Sequence, residues 1–442
     1  MKTKTIFLSV LALMISSFAL NAQFNKDRED SLLNYLAEKN KAMGSIAVSE
    51  NGKIIYAKAV GYRDFTPSQM PSDVNTRYRI GSISKMFTAT LIFQLIEQGR
   101  LDLETTLDKF YPSIPNAAKI TIGNMLGHRS GIHSFTNDSL YMTYMTQNKS
   151  KNDMVKIIAE TKPDFEPGEK TDYSNSNFYL LGLIVEDLYK KPYNEVLQNN
   201  ICSKAGLANT YYGDKTDLNK NESFSFRFVN EWEKLPETDM SIPHGAGAIV
   251  STPSDLVKFI NSIFAGQLIS EASLEKMKTI SDKGLGMGMM EFPYENKKLY
   301  GHGGSIDGFS SMVCYYPEDK VAFSYISNGS VFSTNDILLR TINNYYGKNE
   351  KLPEFKTYAV KPEELEQYTG NYSSQQIPVK VAISTRDGKL FGQGSGQSEI
   401  QLDPIDKDTF QFEPAGIVMI FHPAQNEFIL EQSGGKFTFT RE

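Results

Sequence analysis

The segment from Ser82 to about Gln98 constrains this chain more than any other, because it is helical in length and apolar on most sides. Met86, Phe87, Ala89, Leu91, Ile92, Leu95 and Ile96 leave little surface for water, and a helix of that kind is stable only inside a protein. Other elements must therefore wrap around it. The 442 residues exceed what one core usually organises, which predicts two domains or one large domain with an appendage.

The patterns on either side supply those elements. Residues 30–42 have helical spacing, and 44–64 read as a β-hairpin turning at Glu50-Asn51-Gly52-Lys53, where Asn-Gly suits a two-residue turn. Helical and loop patterns dominate 101–262, including helices at 177–188 and 253–264, the latter opened by the capping run Ser251-Thr252-Pro253-Ser254-Asp255. Strands return at 297–301, 310–316 and 321–327, and 334–346 is a closing helix. Strands at both ends around a helical insert predict an α+β fold: a largely antiparallel sheet flanked by helices, with a helical subdomain between. After Gly347-Lys348-Asn349-Glu350-Lys351-Leu352-Pro353 the character changes, and 360–442 read as a small antiparallel β-barrel or sandwich. The expected division is 1–22, 23–350 and 351–442.

Residues 1–22 have the three parts of a secretory signal: Lys2 and Lys4, the apolar run from Ile6 to Leu20, then Asn21-Ala22 as the cleavage site. The run is short for a membrane span and is followed by Lys26-Asp27-Arg28-Glu29-Asp30. A secreted or periplasmic protein with no stable membrane anchor after cleavage is the expectation. Cleavage removes two lysines and no acid, moving the net charge from −6 to −8, the wrong sign for a nucleic-acid partner. Asn148-Lys149-Ser150-Lys151-Asn152 reads as a solvated loop. Cys202 and Cys314 are expected as free or buried thiols, since a chain this long needs no staple. No Cys/His spacing suggests zinc, so neither metal nor cofactor is expected.

Ser82 and Lys85 stand three apart at the start of the apolar helix, which puts both on one face with the hydroxyl within reach of the amine. A partly desolvated lysine disfavours its ammonium form and can act as a base toward serine. The pattern Ser-x-x-Lys recurs at Ser273 and Ser433. Ser273 lies in a charged stretch that reads as a solvated helix, and Ser433 precedes Gly-Gly in a hairpin turn, so only Ser82 opens a buried helix. Tyr173-Ser174-Asn175 offers a phenol able to relay protons, whereas the similar Tyr294-Glu295-Asn296 reads as a polar turn between strands. Gly301-His302-Gly303-Gly304-Ser305, at a strand end, offers backbone N–H groups that a substrate could approach closely.

The order Ser82-x-x-Lys85, Tyr173-x-Asn175, His302-Gly303-Gly304 resembles the β-lactamase and penicillin-binding-protein superfamily, most closely its class C β-lactamase-like branch. Supporting stretches are Tyr78-Arg79-Ile80, Leu126-Gly127-His128-Arg129-Ser130-Gly131 and Gly245-Ala246-Gly247-Ala248. The resemblance implies an acyl-enzyme on Ser82, with Lys85 and Tyr173 sharing its proton. It further implies that Asn175, His302, Gly303 and Gly304 bind the substrate, and that the N–H groups of Ser82 and Ser305 form an oxyanion hole. His128 and Arg129 match a structural segment and receive no chemical role. His302 departs from the pattern, because many relatives carry a lysine there that holds a substrate carboxylate, and a mostly neutral imidazole does so less well. No Gly-x-Ser-x-Gly elbow occurs, which argues against an α/β-hydrolase. The expectation is a serine hydrolase acting on a small-molecule or peptide substrate, either a carboxylester or a D-amino-acid peptide. A β-lactamase or acyltransferase using the same residues, or a non-catalytic penicillin-binding or sensor protein, are the alternatives.

Overall fold

Asn51 and Gly52 both adopt positive φ, +51° and +76°, the backbone of a two-residue turn matched to strand twist. They join β1 (Ala42–Glu50) to β2 (Lys53–Val60). The computed structural model describes residues 24–442 apart from 66–68, 229–230, 282, 357, 398 and 433–434. The expected signal segment and Ser433 lie outside the described residues.

β1 pairs on its other edge with a strand from far along the chain. β3 (Met290–Tyr294), β4 (Lys297–Ile306), β5 (Phe309–Tyr316) and β6 (Val321–Ser330) complete an antiparallel sheet in the order β3-β4-β5-β6-β1-β2. The helical insert therefore lies between two halves of one sheet, as the order of patterns predicts.

Because side chains alternate across a strand, the central strands feed two cores. Ile46 and Val48 with Val321, Phe323 and Tyr325 face α1 (Lys26–Glu38) and α5 (Thr334–Tyr345). Ala47 with Ala322 and Ile326 face α2 (Ser84–Glu97), α3 (Asn175–Tyr189) and α4 (Pro253–Phe264). Twelve of the fourteen residues of α2 are buried, which is the environment its composition demands.

The first helix lies four residues earlier than its spacing suggests. Asn25 caps it by accepting from the Arg28 N–H, and Asn40, at φ +53°, turns the chain so that Ala42 already begins a strand. The 148–152 run is not a plain loop either. Ser150 forms a reciprocal capping box with Asp153 and opens a helix at Lys151–Ala159. Strands also occur inside the helical insert: Tyr78–Arg79, Ile249–Ser251 and Tyr211–Tyr212 form one small sheet, and Phe226–Phe228 pairs with Trp232–Lys234. At two or three residues they are too short for a period of two to register.

Cys202 and Cys314 are both buried and unbonded to each other. Among the described residues, eight strands between Gly370 and Arg441 close a barrel by pairing Tyr372 with Arg441. Phe410, Phe421, Phe428 and Phe439 fill it, so the C-terminal all-β domain is a closed barrel. Lys41 meets Glu413 at 2.6 Å, and the Tyr358 N–H donates to the Pro404 carbonyl at 3.0 Å, joining the barrel to the rest. No described helix is long and apolar enough to cross a membrane.

α3 approaches the turn His244–Ala246 at Gly182 and Gly245. A Cβ at Gly182 would stand 2.6 Å from His244 Nδ1 and 3.0 Å from Gly245 Cα. Gly182→Ala therefore has to push backbone apart. It should destabilise the fold by about 1–3 kcal/mol, read as a lower denaturant midpoint at unchanged slope; an unchanged midpoint would refute the tight packing.

Candidate active site

Gly81 has φ +50°, and a Cβ there would sit 2.8 Å from the Ser305 carbonyl oxygen. Only glycine fits both the conformation and the approach. The short 3₁₀ turn Gly81–Ile83 then leads into α2, leaving Ser82 partly exposed between buried neighbours. β4 comes equally close on its side, since a Cβ at Gly304 would overlap the Ile80 carbonyl, which accepts from Ser311 Oγ at 2.8 Å. Serine at 82 and the backbone of Ser305 are thus brought together by two missing side chains.

The glycine-rich motif does not end a strand but lies inside one. β4 stays paired with β5 through Gly303–Met312, Gly304–Ser311 and Ser305–Ser310 as far as Ile306. Glycines normally weaken a strand, but here the close backbone approach requires them.

Lys85, one helical turn on, is fully buried. Its Nζ lies 2.9 Å from Ser82 Oγ, 2.7 Å from Asn175 Oδ1 and 2.8 Å from the Ala246 carbonyl. Burial alone holds its pKa well below the ordinary lysine value. Asn175, first residue of α3, is engaged on both ends, since its Nδ2 donates to Thr136 Oγ1 at 2.9 Å. Thr88 Oγ1 donates to the Gly245 carbonyl at 2.6 Å and ties the Ala246 turn back to α2.

Burial raises the Tyr173 pKa above the usual phenol value, and the neighbouring Ser82 hydroxyl offsets part of that rise. Its ring lies 4.9 Å from Lys85 Nζ and stacks on His128 at 4.3 Å. His128 is buried, and its Nδ1 accepts from the Ser174 N–H at 3.1 Å, which fixes the chain beside the phenol. That supporting role has no sequence signal, because a single histidine at φ +54° belongs to no periodic pattern. The Ala246 carbonyl was equally invisible, although the Gly245-Ala246-Gly247 run marks where it sits.

His302 completes the cluster, with its ring 6.3 Å from that of Tyr173. It is buried, its Nδ1 lies 2.5 Å from the Gly303 carbonyl, and burial, then the proximity of Lys85, push its pKa down to about 3. Ser273 proves buried as well. It is not on a solvated face but donates to Glu97 Oε1 at 2.6 Å, a structural bond far from this cluster in role. Tyr294 and Asn296 do flank a turn, with Glu295 at φ +53° between β3 and β4.

In front of Ser82 lies a cleft of about 280 Å³, walled by Phe135, Tyr141, Met142, Met145, Pro243 and Ile306, with Asn175, Ser305 and Asp307 also on its surface. A nucleophile, a desolvated amine and a protonated phenol meeting beside such a cleft can carry out acyl transfer. The family described as Beta-lactamase matches residues 32–343.

The chain belongs to this family. It is 25% identical to Penicillin-binding protein 4* of Bacillus subtilis (strain 168) over 445 residues, covering 92% of this chain and 96% of that protein. Among solved structures, D-amino acid amidase from Ochrobactrum anthropi SV3 in complex with D-phenylalanine matches with a TM-score of 0.65 at 24% identity, over 73% of this chain and 98% of that one. The octameric penicillin-binding protein homologue from Pyrococcus abyssi matches with a TM-score of 0.65 at 23% identity. It covers 94% of this chain and 99% of its own, so the likeness reaches into the barrel. The resemblance read from the three motifs and the α+β fold are both borne out, and this family member is of serine-hydrolase type.

The buried histidine also sets a pH dependence. Unfolded, His302 titrates near its ordinary 6.5; folded, near 3. Between those values the unfolded chain holds a proton that the folded chain does not, so stability present above pH 6.5 is lost as pH falls toward 3. Melting temperatures should drop across that interval, and His302→Gln should flatten the drop. Equal slopes for the two proteins would contradict a neutral buried imidazole.

Proposed function

We propose that this protein hydrolyses a carboxylester or an amide, such as a D-amino-acid peptide, through an acyl-enzyme on Ser82. The bonding of Lys85 carries this reading. A neutral amine has two N–H bonds and one lone pair. With the N–H bonds directed at Asn175 Oδ1 and the Ala246 carbonyl, the lone pair is left for the Ser82 hydroxyl at 2.9 Å.

In this mechanism Ser82 Oγ attacks the substrate carbonyl carbon while its proton passes to Lys85. The oxyanion that forms is stabilised by the N–H groups of Ser82 and Ser305, each worth about 10²–10³ in rate. The new ammonium faces the rings of Tyr173 and Phe178 at 4.9 and 5.8 Å, which favours it transiently. Tyr173, kept protonated by burial, gives its proton to the leaving oxygen or nitrogen and regains one from Lys85. The carbonyl–leaving-group bond breaks, an alcohol or amine departs, and the acyl group remains as an ester on Ser82. Water, activated by the same amine, then cleaves that ester and restores the hydroxyl. Asn175, His302, Gly303 and Gly304 flank the bound substrate.

The names of the relatives support this reading, since one is an amidase seen with D-phenylalanine. The N-terminal sequence pattern supports export to a periplasm or beyond as part of the same proposal.

Ser82→Ala should abolish both turnover and labelling by a fluorophosphonate, and Lys85→Ala should lower kcat about 10²–10⁴-fold. Because burial lowers the Lys85 pKa, kcat/KM should be level at alkaline pH and fall as acid protonates the amine. A rate that keeps climbing to pH 10.5, the ordinary lysine value, would rule out Lys85 as the base. A Ser82 adduct that intact-mass measurement finds permanent, with no turnover of any ester or amide, would replace this reading by a penicillin-binding or sensor role.

A further inference from the structure

The groups around the cleft are unsuited to an anion. His302, near the cleft's Ser305 along the same strand, is buried, with Nδ1 already on the Gly303 carbonyl. Among the described residues that line the cleft there is no lysine or arginine, and the one ionic side chain is Asp307. Its carboxylate accepts from the Thr238 N–H at 2.9 Å, Thr238 Oγ1 at 2.7 Å and Arg79 Nη1 at 3.0 Å.

Arg79 is not free to serve a ligand. It pairs with Glu237 at 2.6 Å as well as with Asp307, and it donates to the carbonyls of Thr238 and Asp214. With the Asp307 side chain fully buried on Arg79 and Thr238, and Arg79 shared with Glu237, this wall offers no free cation to a substrate carboxylate.

Phe135, Tyr141, Met142, Met145, Pro243 and Ile306 make much of the remaining wall apolar, and that character continues outward. Met142 lines the cleft yet is 72% exposed, and Leu140, two residues before it, is 62% exposed. Exposed side chains of this kind, next to an apolar cleft of about 280 Å³, form a rim that a bound apolar chain would cover. The cleft lies at the small end of ligand sites, which run to about 300–1,000 Å³, so the group it encloses is compact.

Resting on the acyl-enzyme reading, we infer that this cleft selects substrates with an uncharged, apolar acyl group and no carboxylate beside the scissile bond. Penicillins and peptides with a free C-terminal carboxylate are then poor substrates, and simple esters and amides are good ones.

Matched phenyl esters test this on the full chain. 4-Nitrophenyl hexanoate is compared with the acetate, and the hexanoate ester of 4-hydroxybenzamide with that of 4-hydroxybenzoate. Each buried methylene is worth about a three- to fourfold gain, so hexanoate should exceed acetate in kcat/KM by about tenfold or more. The carboxamide should exceed the carboxylate by about tenfold or more, because the latter buries an unpaired charge. Met142→Asp, at an exposed position, should reduce the hexanoate-to-acetate ratio several-fold. Fluorophosphonate labelling of Ser82 is measured in parallel. Labelling with either ratio near one, or with none of the three hexanoates turned over, overturns the selectivity and leaves Ser82 as nucleophile; absence of labelling overturns the acyl-enzyme reading and this inference together.

Discussion

The contact of Lys85 Nζ with Ser82 Oγ, Asn175 Oδ1 and the Ala246 carbonyl sets conditions that reach through much of the molecule. Keeping water from an amine lowers its pKa, because desolvation penalises the charged form. A helix that is apolar on most sides supplies that dryness. α2 has to run through the core with buried residues facing α3, α4 and the sheet, so that its first turn delivers the amine to a dry place. The glycine pair at 182 and 245 contributes too, since it lets the Ala246 turn settle against α3 and point its carbonyl at the amine.

The same burial moves three groups in directions that suit one another. It lowers Lys85 and His302 and raises Tyr173. Each shift favours the uncharged form of its group, so the three side chains sit together without a buried ion pair to desolvate. Under acid the cost returns, since each buried basic group must stay uncharged or force the site open.

The sheet contributes the other wall. Gly81 and Gly304 allow β4 to lie against the nucleophile turn with backbone almost touching backbone, which puts Ser305 beside Ser82 without using any side chain. The barrel stands apart from this arrangement. Its ion pair through Lys41 joins the start of β1 rather than the cleft, which fits a role in supporting the domain more than in the chemistry.

Much of this was written in local patterns. Spacing placed Ser82 and Lys85 on one face, composition demanded that their helix be buried, Asn51-Gly52 fixed a turn, and three late runs read as neighbouring strands. These follow from forces between near neighbours in the chain, so sequence alone determined them. What only the tertiary structure decided are contacts between residues far apart: His128 under Tyr173, the Ala246 carbonyl on Lys85, Asp307 with Arg79, and Ser273 turned inward to Glu97. Each depends on how separate elements pack. So do the protonation states, because desolvation is a property of the assembled core and not of any residue taken by itself.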